Sequence, residues 1–153
     1  MSYGYVKLTD ICEIERAVNE KIYPPGTCYI QISACAKNSD TKWHITEAHT
    51  TLPNKYAVVL PKVPIIPEYL KEALEFTAEE FFCRYIGSNI NIQIGLLDFY
   101  TLPYYSELDD QRRVVEALQP IKDDIAATEK QIKSWQDTKE YFLEKMMSVG
   151  ACV

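Results

Sequence analysis

DIAATEKQIKSWQDTKEYFLEKMM, residues 124–147, contains neither proline nor glycine. With the residues before it, it carries a regular apolar pattern. Val114, Leu118, Ile121, Ile125, Thr128, Ile132, Trp135, Lys139, Phe142 and Met146 are spaced alternately by four and three, and eight of these ten are apolar. That spacing is the seam of a coiled coil. Ser106 with Asp109 three residues later forms a capping-box pattern, which predicts a helix start near Glu107. Pro120 is expected to kink or divide the helix after its first turns. From Glu107 to Met147 the helix would run for about 60 Å at 1.5 Å per residue. The preceding domain of about a hundred residues should have a radius of gyration near 13 Å. Such a helix is expected to project and to need a partner for its seam; a fold-back at Pro120 is the alternative.

Upstream the pattern changes to short strands and turns. TCYIQIS places Cys28, Ile30 and Ile32 on one face and Tyr29, Gln31 and Ser33 on the other, after the turn signal YPPG. KYAVVLPK is a second strand candidate. NINIQIG is a third, with Ile90, Ile92 and Ile94 alternating against Asn89, Asn91 and Gln93. ACAKNSDTKWHITEAHTTLPN is polar and predicts an exposed loop or hairpin. One helix interrupts the strands: PEYLKEALEFTAEEFFCRYI opens on Pro67 and Glu68, which suit a helix N-terminus, and Gly87 is a plausible stop. Tyr69, Leu70, Ala73, Leu74, Phe81 and Phe82 would face a core, with Glu72, Glu75, Glu79 and Glu80 outward. The expected class is α+β: a small mixed α/β domain over 1–105, then a long coiled-coil helix over 106–148.

The chain has 153 residues, 47% hydrophobic and 25% charged, enough for one core plus an appendage. No apolar run approaches the ~18 residues of a membrane span, so a cytoplasmic protein without membrane contact is expected. Five cysteines and no secretory signal suit reduced thiols. Cys28, Cys35, His44 and His49 lack the usual ligand spacing, so no metal is expected. No phosphate loop, GxGxxG or GxSxG occurs, and His44 and His49 have no nucleophile beside them. Neither catalysis nor a cofactor is expected. The net charge of −6 is unfavourable for nucleic acid, but the acid is concentrated downstream. Residues 1–64 hold seven Lys and Arg against six Asp and Glu.

The tail LPYYSELDDQRRVVEALQPIKDDIAATEKQIKSWQDTKEYFLEKMM resembles the helical spacer of type I restriction-modification specificity subunits. Leu108, Gln111, Leu118, Ile121, Ile125, Ile132, Lys139, Leu143, Lys145 and Met146 match its motif positions. YIGSNINIQIGLLDFYTLP is similar to the stretch that closes a target recognition domain, and VKLTDICEIER to its opening. The resemblance implies a non-catalytic subunit that reads half of a split target in double-stranded DNA. It further implies methyltransferase (M) and translocase/endonuclease (R) subunits as partners. The resemblance implies that a full subunit has two recognition domains held apart by two antiparallel spacer helices, whereas this chain has one of each. It therefore looks like a half-length form that pairs as a homodimer through Leu118, Ile121, Ile125, Ile132, Trp135, Phe142 and Met146. By the family pattern Ser88, Asn89 and Asn91 lie near DNA. Loop polarity alone nominates Lys37, Asn38, Ser39, Lys42, Trp43 and His44, with a lid on the core as the equal alternative for Trp43, and Lys55 and Lys62 are further phosphate candidates. The competing expectation is a coiled-coil interaction or regulatory protein that binds no DNA.

Overall fold

The computed structural model describes residues 3–33, 42–89 and 91–150. Two compact units emerge, Met1–Val115 and Glu116–Val153. In the first, β2 (Cys12–Arg16), β4 (Cys28–Gln31), β5 (Trp43–Ile45) and β7 (Tyr56–Pro61) form an antiparallel sheet in the order β2-β7-β4-β5. Two antiparallel ribbons accompany it, β1 (Gly4–Lys7) with β8 (Thr101–Tyr104), and β3 (Ile22–Tyr23) with β6 (Thr50–Thr51). A single turn, α1 (Leu8–Ile11), joins β1 to β2.

Period-two alternation decides which side chains the sheet buries. Cys28 and Ile30 of β4 face the same core as Ala57 and Val59 of β7 and as Trp43 of β5. α2 (Pro67–Phe81) covers that face through Tyr69, Leu70, Ala73, Leu74 and Phe81, joined by Phe82, as its sequence periodicity predicts. Its outer face is less uniform. Glu79 and Glu80 are exposed, whereas Glu72 and Glu75 are half-buried and Lys71 pairs with Glu75 at 3.1 Å. On the opposite face of the sheet, Val58 packs with Ala17, Tyr23 and Leu52 in a smaller cluster.

The turn into β4 depends on Gly26, whose φ is +85° and whose added Cβ would lie 2.9 Å from the Pro67 ring. Both the conformation and the close approach require glycine. α2 widens into a π-helical turn at Phe82–Ile86 and stops at Gly87, where φ is +59°. The expected strand at residues 89–95 does not form among the described residues. Ile92 makes one sheet-like bond, its amide donating to the Ile32 carbonyl at 2.8 Å, and Ile94–Phe99 then winds into a 3-10 helix. The alternation there reflects buried Ile92 and half-buried Ile94 anchoring an irregular segment, not a ladder.

α3 (Leu108–Gly150) is one continuous helix with Pro120 inside it, so the proline does not divide it. Glu107 occupies the N-cap position, its carbonyl accepting from the Asp110 and Gln111 amides. The helix therefore starts one residue beyond the expected Glu107, and Asp109 pairs with Arg112 at 2.7 Å. In the first unit, α3 adds fully buried Gln111 and half-buried Val114 and Val115 to the core.

Candidate nucleic-acid interface

The segment after α2 is held by its apolar residues and shows its amides to solvent. Ile86 and Ile92 are buried, whereas Ser88, Asn89, Asn91 and Gln93 are exposed. The Gly87 amide donates to Phe82 at 2.9 Å and the Asn89 amide to Ile86 at 3.2 Å, closing the turn. Asn89, Asn91 and Gln93 line an open depression of about 360 Å³ with Tyr85, Ile86 and Leu96. Carboxamides carry a donor and an acceptor on one planar group, which is what reading a base edge requires. Beside them Tyr85 stacks on exposed Phe99, with ring centroids 5.6 Å apart and planes inclined by 13°.

Of the second group of candidates, Trp43 and His44 lie on β5 and Lys42 directly precedes it. Lys37, Asn38 and Ser39 fall outside the described residues. Lys42 is exposed, and His44 is exposed and stacked on Tyr29 at 5.3 Å. Tyr29 in turn meets the edge of Tyr56, and Lys55 lies over the Tyr56 ring at 5.2 Å. Trp43 requires a correction: it is 1% exposed, and its indole N–H donates to the Tyr100 hydroxyl at 3.2 Å. Trp43 opens the three-residue strand and alternates with exposed Lys42 and His44, so it points inward and its polar surroundings hid a core position. It cannot touch DNA from there.

Chain topology carries Asn91 and Lys42 to the same end of the sheet. Ile92 is bonded to Ile32, just beyond β4, and β4 is the hairpin partner of β5, which begins directly after Lys42.

Several cations elsewhere are engaged within the domain. Lys62 donates to the Thr9 carbonyl, Lys21 pairs with Glu15 at 2.6 Å, and Arg84 lies 3.6 Å from Glu80. Lys42 makes no hydrogen bond or ion pair among the described residues. Burial pushes the Cys12 and Cys28 thiols up to about 12, which keeps them protonated and poor as ligands or nucleophiles. Among the described residues no cluster of His, Cys, Asp or Glu could hold a metal, and no helix is long and apolar enough to cross a membrane.

In the second unit every described residue is exposed except Leu118, which is half-buried. Ile121, Ile125, Ile132, Trp135, Phe142 and Met146 all stand in solvent, with Trp135 64% and Phe142 60% exposed.

No protein-family model matches the chain, and no curated protein matches it. Solved structures do. The S subunit of a type I restriction-modification system from M. genitalium superposes with a TM-score of 0.62 at 12% identity, over 80% of this chain and 39% of that one. The HsdS subunit from Thermoanaerobacter tengcongensis gives 0.60 at 17% identity, over 82% and 38%. A chain from a study of complex assembly and conformational transition in the type I R-M system gives 0.64 at 17% identity, over 82% and 39%. The fold is that of type I restriction-modification S subunits. The chain spans about two fifths of the length of each of these structures.

On this S-subunit fold, the structure brings Asn89 and Asn91 to one depression and adds Gln93, which sequence reading took for the wet face of a strand. It also reveals the Tyr85–Phe99 stack, for which the sequence offers no signal because the partners lie fourteen positions apart on elements of different type.

Proposed function

We propose that this chain is a DNA-specificity subunit of a type I restriction-modification system, carrying one recognition domain and one spacer helix. The observation that supports this reading is the fold match, which takes in 80% or more of the chain. Ser88, Asn89, Asn91 and Gln93 would read base edges, while Lys42, His44 and the segment that includes Lys37, Asn38 and Ser39 would meet the backbone and neighbouring bases. The chain itself would catalyse nothing and need no cofactor; methyltransferase and translocase/endonuclease subunits would act at the site it selects. Through the α3 seam it would pair with a second copy, so that two domains related by a two-fold axis read inverted half-sites.

The net charge of −6 predicts weak DNA affinity for the isolated protein. The deciding experiment is co-expression with the methyltransferase subunit that this reading requires and mapping of methylated sites by long-read sequencing. A bipartite motif with identical inverted half-sites is expected. Methylation that is unchanged when this chain is omitted would exclude the proposal. The acidic balance favours one second reading, an interaction protein without DNA binding. That reading predicts no duplex binding with or without the methyltransferase in a titration at fixed salt.

A further inference from the structure

The exposed seam of α3 is self-complementary in one orientation only. Between 121 and 146 its spacing reads the same from either end, four, three, four, three, four, three, four. Six of its eight positions would bury apolar side chains, and the two that resist burial are Thr128 and Lys139. We infer that, with α3 antiparallel to α3 of a second copy as the resemblance implies, the pair takes the single register that sets Thr128 of one copy against Lys139 of the other. This inference rests on the homodimer reading above and fixes its geometry.

In that register Ile121 faces Met146, Ile125 faces Phe142 and Ile132 faces Trp135, and two-fold symmetry repeats each layer. All of these side chains are exposed in the single chain. Both polar positions fall in the same layer, so no apolar side chain faces a polar one. Sliding one copy by a heptad sets Lys139 against Ile121 in one direction and against Trp135 in the other. The Thr128 hydroxyl already donates to the Asp124 carbonyl at 2.8 Å, so it enters the seam without an unmet donor. Lys139 can extend past it to Glu129 of the partner copy, at the edge of the same layer.

Charge selects the same arrangement. The flanking positions then bring Asp124 of each copy level with Lys145 of the other, giving two opposite-charge pairs, and no flanking pair is like-charged. A parallel, in-register pair would instead stack Lys139 on Lys139 and put Asp124 beside Glu129. Burying two ammonium groups together is strongly unfavourable.

A charge swap tests the register in the full-length chain. Asp124→Lys creates two Lys–Lys contacts and Lys145→Asp two Asp–Asp contacts, so each variant alone should self-associate roughly tenfold more weakly. An equimolar mixture of the two should recover wild-type affinity as a heterodimer, and so should the double variant. Sedimentation or light scattering across a concentration series reads all four. A wild-type dimer whose single variants are unaffected, or whose mixture is not restored, overturns the register and leaves the dimer standing. A monomeric wild type overturns both.

Discussion

The side-chain carbonyl of Gln111 accepts the backbone N–H of Ile66 at 2.9 Å, forty-five residues away, while its amide nitrogen donates to the Tyr105 carbonyl at 2.7 Å. Gln111 is completely buried and sits in the first turn of α3; Ile66 is the N-cap residue of α2. One carboxamide thus satisfies a donor at the start of α2 and an acceptor just ahead of α3. Gln111→Leu keeps the volume but orphans both groups, each at about 1–3 kcal/mol. Thermal or urea unfolding should show a loss of about 2–4 kcal/mol, and a loss below 1 kcal/mol would contradict this role.

Trp43 supplies a contrast with its neighbour. Trp43→Ala should cost about 3–5 kcal/mol, through the cavity and the lost bond to Tyr100. His44→Ala, on the exposed face of the same strand, should cost less than about 1 kcal/mol. Equal effects in paired melts would contradict the placement of β5. Any DNA-binding defect of Trp43→Ala is accordingly attributable to folding.

At the proposed interface, Asn89→Ala and Gln93→Ala should lower affinity for the cognate half-site by about 1–3 kcal/mol, with little change for unrelated duplex. Lys42→Ala should weaken both about equally and reduce the salt dependence of binding by about one ion. Competition titrations of the complex with its methyltransferase, at several salt concentrations, separate the two behaviours. Uniform loss in all three variants would indicate backbone contacts alone.

On α3, Ile125→Asp or Ile132→Asp should yield monomers by light scattering without changing the melting of the recognition domain, because both side chains are exposed in the single chain. A charged residue in each of two symmetric layers is incompatible with a dry seam. A dimer that survives both substitutions would place the interface elsewhere.

Alkaline pH should destabilise the domain. Burial pushes Tyr69 and Tyr100 up to about 12 from an ordinary 10.0, and Cys12 and Cys28 up to about 12 from 9.0. For each group the unfolded chain gives up its proton at lower pH than the native one. The stability tied to the neutral forms is therefore complete below pH 9 and is lost progressively toward pH 12. Melting temperature should fall across that window, and tyrosinate absorbance should show two of the eleven tyrosines ionising only as the fold opens.

How much of this was legible from the chain depended on the range of the interactions involved. α2 and its six core-facing residues, the Gly87 stop, β4 and β7, and the length of α3 all follow from periodicity, because each is encoded within a few neighbouring residues. The seam was equally plain, since a helix fixes which side chains share a face wherever it lies. The sequence leaves Trp43 open between core and contact, and misplaces the segment around Ile92, for the complementary reason. A three-residue strand and a single bridging hydrogen bond are too short to leave a period, and Tyr100 and Ile32, the groups that place them, are remote in sequence. Tertiary packing also converted the polar run at 88–93 from a strand face into one wall of a depression. The sequence alone therefore determined what each helix buries or leaves bare, through local backbone geometry. Only the folded chain decided which polar residues meet, because that depends on contacts closed across tens of residues.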